Sequence, residues 1–130
     1  MGKVNFPYLS RSLPDHPLSG GWWLVDAETN GLHPEEGDEL IALRLAYMKK
    51  DTILETCEMR IRPAQPLPSH IERLTGVTNA MLENAMETAE AVSALEDLTE
   101  EGPLILWHGA CLLPFFQKAF GEAGSDRRVP

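Results

Sequence analysis

Asp26 and Glu28 are the residues of this chain whose type and spacing point to chemistry. Side chains alternate along an extended backbone, so two acids separated by a single residue project to the same side. Carboxylates held next to one another repel, and beside apolar chain they are poorly solvated; a cation between them relieves both costs. A site built only of oxygen donors suits a hard divalent ion, Mg²⁺ or Mn²⁺. Taken alone, Asp-x-Glu describes a frayed strand end with two surface acids equally well. The residues around it have to decide.

The acids close an apolar run, Trp22-Trp23-Leu24-Val25, that reads as a buried first strand over residues 22–27. Thr29-Asn30-Gly31 follows as a turn in which Gly31 is expected at positive φ. Alternation of Leu40, Ile41, Leu43, Leu45 and Tyr47 predicts a second strand over 39–49, and Lys50-Asp51 a tight turn. A third strand over 53–61 carries Cys57, Met59 and Ile61 on one face, giving an antiparallel meander that begins with the acid-bearing strand. Three prolines between Pro63 and Pro68 stiffen the next connection. Ser69 is placed as the N-cap of a short helix through Leu74, stopped by Thr75-Gly76; Thr78 caps a further turn over 80–82. Thr88 opens a longer helix with Ala91, Leu95 and Leu98 at helical spacing. Residues 103–107 predict a fourth strand buried on both faces. His108 to Cys111 turn the chain, and Pro114 is expected at the first position of a last helix that buries Phe116 and Phe120.

With 130 residues, the chain is expected to form one domain over 22–122, preceded by an irregular Pro-rich arm (1–21) and followed by a polar tail (123–130). An apolar fraction of 43% and a charged fraction of 24% are ordinary for a globular protein. No apolar run reaches membrane-spanning length, so no membrane partner is expected. Cys57 and Cys111 form no metal-binding spacing, which points to a reduced, cytoplasmic setting. The net charge of −9, from 20 acids against 11 bases, argues against tight backbone-driven binding of nucleic acid. It leaves room for a metal-dependent nuclease, because the ion supplies the positive charge where phosphates approach.

Three stretches carry a resemblance. Val25-Asp26-Ala27-Glu28-Thr29-Asn30-Gly31-Leu32 is similar to the D-x-E-T-T-G-L motif of the DEDD-type 3′→5′ exonucleases, DEDDh subtype. Residues 66–82, P-L-P-S-H-I-E-R-L-T-G-V-T-N-A-M-L, resemble that family's P-x-P-x-x-I-x-x-L-T-G-I-T-x-x-M-L segment without a gap. Leu106-Trp107-His108-Gly109-Ala110 resembles the opening of its second motif. Within the family the chain looks like the DNA polymerase III epsilon subunit and the PolC-type exonuclease domain. The resemblance implies an α/β, ribonuclease H-like mixed sheet: three antiparallel strands, helices, a parallel fourth strand and a helix. It also implies phosphodiester hydrolysis by two metal ions about 3.5–4 Å apart. Asp26 and Glu28 then stand as catalytic and metal-binding acids. Thr29, Leu32, Thr75, Gly76, Val77 and His108 match positions that contact substrate, with Val77 as an apolar wedge under the terminal base.

The departures bear on activity. The second motif continues H-N-A-x-F-D in the family; here Leu113 stands in the place of the metal-binding Asp, Gly109 in that of the Asn and Leu112 in that of the Phe. Ile41-Ala42-Leu43 lacks the acid usual in the second strand. The sequence ends at Pro130, before the family's closing H-x-x-x-x-D motif, so the last strand and helix, one carboxylate and the general base are expected to be missing. Mg²⁺ or Mn²⁺ is then expected to bind weakly, as one ion or none. Three functions remain open: a degenerate exonuclease-like module that binds single-stranded nucleic acid or a protein such as a polymerase, an exonuclease completed by a partner chain, and an acidic protein-interaction domain. The exposed edge of the fourth strand predicts a homodimer, or the N-terminal arm lying over the sheet.

Overall fold

The computed structural model describes residues 20–100 and 102–124. The arm and tail expected at the two ends lie for the most part outside these residues, as does the expected cover of the sheet by the arm. The sheet has four strands: β1 (Trp22–Thr29), β2 (Leu40–Lys49), β3 (Thr52–Arg60) and β4 (Leu104–Leu106), in the order β3-β2-β1-β4. β1 to β3 are antiparallel and β4 runs parallel to β1. Three helices follow the meander: α1 (Ser69–Thr75), α2 (Thr88–Leu98) and α3 (Gly109–Glu122). This is the mixed α/β architecture expected.

β1 lies between two neighbours and uses both faces, which is why Trp22 to Val25 are all buried. Trp23 and Val25 face the main core, with Leu43 and Leu45 from β2 and Met59 from β3. Ala91, Val92 and Leu95 of α2 and Leu112, Phe115, Phe116 and Phe120 of α3 close that core from above. Trp22 and Leu24 point the other way, into a smaller cluster with Met48 and Ile53. A third cluster joins Ile41 and Ala42 to Leu67, Ile71, Val77 and Leu82. It fastens the α1 segment to the β2 end beside the acids.

Several local expectations are corrected. β4 is a three-residue edge strand whose side chains are only half buried, because it pairs on one side with β1 and with no other described strand. α3 begins at Gly109, not Pro114: His108 takes a left-handed conformation, and its carbonyl accepts the amides of Cys111 and Leu112. Pro114 therefore falls in the second turn, where its lack of an N–H deprives the Ala110 carbonyl of its helical donor. Ser69 is the first residue of α1, and Pro68 holds the cap position, its carbonyl accepting from Ile71 and Glu72. Gly31 is not at positive φ. It is needed for another reason: a Cβ there would collide with the carboxylate of Asp38. The thiols of Cys57 and Cys111 are both free. Among the described residues no helix is long and apolar enough to cross a membrane.

Candidate active site

The sheet register sets the site. Asp26 lies opposite Arg44 of β2, and Arg44 lies opposite Glu58 of β3. Glu28 lies opposite Ala42, and the register slips between Glu28 and Thr29, a bulge that ends regular pairing beside the second acid. Trp23, Val25 and Ala27 face the helices, so alternation turns Asp26 and Glu28 to the opposite face of the sheet, as their spacing predicted. Both are half buried.

Each acid already has a partner. Asp26 Oδ1 accepts the amide of Ala27 at 2.9 Å. Glu28 Oε1 lies 3.1 Å from Nη1 of Arg44, whose guanidinium donates to it. Glu58 in turn accepts from Nε of Arg60 at 3.2 Å. The result is a row of alternating charge across three strands. Arg44 is the residue that sequence reasoning missed, although an Arg between Leu43 and Leu45 in an otherwise apolar strand was the available signal.

The loop after β1 is tied down by its own side chains. Thr29 Oγ1 donates to the Gly31 carbonyl at 2.7 Å, and Asn30 Oδ1 accepts the Glu39 amide at 2.7 Å. Asp38 accepts the His33 amide, and Lys118 of α3 donates to the carbonyls of Pro34 and Asp38. Leu32 is left 83% exposed at the bend. The Thr75-Gly76-Val77 corner is a helix stop: Gly76 is left-handed with φ of 76°, and its amide meets the Glu72 carbonyl. Thr75 Oγ1 donates to the Ile71 carbonyl and accepts the Val77 amide. Val77 itself is 1% exposed and packed on Ile41 and Ala42, so it is a core side chain and not the open wedge expected. The exposed apolar groups near these motifs are Leu32 and Leu74.

The chain leaves β4 beside Asp26, where the Trp107 amide donates to the Val25 carbonyl at 2.8 Å. His108 is exposed, meets the Trp107 ring edge-on at 5.4 Å, and serves the fold through its backbone. Leu113 is half buried in α3, and the first turn of that helix contains no acid. Ile41, Ala42 and Leu43, the stretch expected to lack the second-strand acid, are fully buried, with Ala42 opposite Glu28. Among the described residues no three of His, Cys, Asp and Glu gather where they could hold a metal. Two carboxylates, one of them bound to a guanidinium, are not the donor set that a two-ion site requires.

The model of the RNase_T exonuclease family matches residues 24–124. The chain belongs to this family, as a DEDD-type 3′–5′ exonuclease domain. It is 30% identical over 104 residues to the PolC-type DNA polymerase III of Bacillus cereus, covering 80% of this chain and 7% of that protein. It is 36% identical over 61 residues to the 3′-5′ exonuclease DinG of Bacillus subtilis, 47% of this chain and 7% of that one. The chain thus spans less than a tenth of these relatives. Among solved structures, the nuclease domain of 3′hExo, a DEDDh family member bound to rAMP, superposes with a TM-score of 0.70 at 16% identity. That match covers 86% of this chain and 62% of that one. Escherichia coli exonuclease I in complex with a dA16 oligonucleotide gives 0.70 at 15%, over 82% of this chain and 24% of that one. These two likenesses show the ribonuclease H-like fold.

Proposed function

We propose that this domain is an exonuclease-like module that does not hydrolyse phosphodiesters by itself and binds the end of a single-stranded nucleic acid. One observation carries the reading: Glu28, half of the acid pair, is engaged by Arg44 at 3.1 Å, and α3 has no acid in its first turn and Leu113 just after it, so it offers nothing to complete a metal site. An aliphatic side chain supplies no lone pair to a cation. Asp26 and Glu28 alone would hold at most one weakly bound Mg²⁺ or Mn²⁺, which leaves either the attacking water or the leaving oxygen without an ion.

Binding of a strand end is supported by what the fold keeps: a bulged β1 end with exposed Leu32, and Leu74 exposed on α1. Exonuclease I, of the same fold, is described with an oligonucleotide bound. The net charge of −9 keeps affinity modest and strongly dependent on salt. The PolC relatives are polymerases, so a polymerase is the protein partner with which such a module would work.

The test is nucleotide release from a labelled single-stranded DNA in Mn²⁺, for the wild type and Asp26→Ala. No release is expected from either. Release by the wild type that disappears in Asp26→Ala overturns the reading in favour of a working nuclease. Anisotropy with the same oligonucleotide at low salt is expected to show binding that weakens as salt rises. Absence of binding at every salt concentration points instead to an acidic protein-interaction domain.

A further inference from the structure

An acid pair of this kind needs a positive charge beside it, and here the chain provides one of its own. Arg44 sits on the strand next to Asp26 and Glu28, directly across from the first and hydrogen-bonded to the second at 3.1 Å. Its other neighbour across the sheet, Glu58, is bridged to Arg60, while Arg44 reaches towards Glu28 on β1. Ala42 and Leu24, on the same face, are buried, and Arg60, opposite Ala42 on β3, is held by Glu58.

We propose that Arg44 is the resident cation of the Asp26–Glu28 pair. The guanidinium offsets the mutual repulsion of the two carboxylates, satisfies a Glu28 oxygen, and excludes a divalent ion by occupying that oxygen and by adding positive charge to the site. Two features set the size of the effect. Glu28 is 31% exposed and Arg44 47%, so water screens the pair, and its contribution to folding is small. A divalent ion, however, feels the guanidinium twice over, through direct repulsion and through the acid it must displace. Removal of the arginine charge should therefore tighten binding of the ion by roughly tenfold. The proposal rests on the reading of an incomplete site, and it makes a claim that this reading does not: the missing ligands are only part of the reason for metal rejection, and an arginine supplies the rest.

The experiment is a Mn²⁺ titration of the whole chain, followed by calorimetry and by electron paramagnetic resonance of the free ion. Wild type, Arg44→Gln, Arg44→Ala and the double variant Arg44→Gln/Glu28→Gln are compared. The glutamine keeps most of the side chain's length and removes its charge, so it guards against loss of folding in the alanine variant. Arg44→Gln is expected to bind one Mn²⁺ about tenfold more tightly than the wild type, and the double variant to lose that gain. Mn²⁺ is also expected to raise the Tm of Arg44→Gln and to leave that of the wild type unchanged. Equal affinity of wild type and Arg44→Gln, or a gain that survives loss of the Glu28 charge, overturns the proposal. A wild type that binds Mn²⁺ through the acids as tightly as Arg44→Gln but releases no nucleotide sinks the arginine inference and leaves the proposed function standing. Nucleotide release by the wild type in Mn²⁺ overturns both, because hydrolysis requires the bound ion that Arg44 is proposed to keep out.

Discussion

The side-chain amide of Asn79 pairs with the backbone of Leu67 as a neighbouring strand would: Asn79 Oδ1 accepts the Leu67 amide at 2.7 Å and Nδ2 donates to its carbonyl at 2.9 Å. The Asn79 amide is itself accepted by Glu72 at 2.8 Å. One residue thus staples the extended Pro63–Pro68 connection to the segment after α1, without any regular secondary structure between them. Asn79→Ala removes two part-buried hydrogen bonds and leaves both Leu67 groups without partners. The expected loss is about 2 kcal/mol, read from urea unfolding, with binding of an oligonucleotide weakened as the corner loosens.

Val77 and Leu32 differ in exposure, one sealed in a cluster and the other in water, although motif matching assigns both to substrate. Val77→Ala removes two methyl groups from a sealed cluster and should cost about 2 kcal/mol in urea unfolding. Leu32→Ser should change stability by no more than about 0.5 kcal/mol, because the side chain already lies in water. Its effect should be on oligonucleotide anisotropy instead. A stability loss at Leu32 as large as that at Val77 would contradict this division.

Gly31 and Asp38 are coupled by space. An alanine at 31 forces the Asp38 carboxylate aside and breaks its bond to the His33 amide, with an expected cost of about 1–2 kcal/mol. In an Asp38→Ala background the same substitution should cost measurably less. Thermal unfolding of the four proteins in that cycle gives the coupling directly.

The two thiols should separate by reactivity. Burial, and then the carboxylates of Glu55 and Glu58, raise the Cys57 thiol above its ordinary value. Cys111 is exposed on α3. At mildly alkaline pH an alkylating reagent should modify Cys111 first, and Cys57 should catch up as pH rises further or on unfolding. The folded state holds the Cys57 proton more tightly than the unfolded chain does. This contribution to stability is therefore complete below the unfolded thiol's pKa and is lost as pH climbs through the folded one. Mass spectrometry of a timed labelling course checks the order.

What could be read from residue types alone follows the physics that is local. The apolar positions in Leu40–Tyr47 and the apolar run at Trp22 locate the sheet, because an extended backbone sends successive side chains to alternate faces and both faces are covered at the start of these strands. The acids' shared face follows from the same rule. Pro114 misled, because proline at a helix start is common and the true start depends on His108 adopting a left-handed turn that no local pattern announces. Val77 misled for a different reason: a family position records which residue stands there, while its exposure depends on how 67–82 folds onto Ile41 and Ala42. Arg44 stands out as a charge in an apolar strand, but its partner could not be read before strand register was known, since Glu28 lies far away in sequence and near only through the pairing of β1 with β2.

Trp22 and Trp23 are adjacent in the chain and lie on opposite faces of β1, each almost wholly enclosed. The Trp23 ring sits 5.1 Å from that of Tyr47, and its indole nitrogen meets no acceptor among the described residues. Excited indoles so placed have little polar medium to relax into and no path to a dissolved quencher. With the half-buried Trp107 replaced by Phe, the domain therefore carries its own optical gauge: native emission at short wavelength and indifferent to iodide, reddening as soon as the central strand is wetted. A variant in that background can be judged for intactness by its emission before its function is measured.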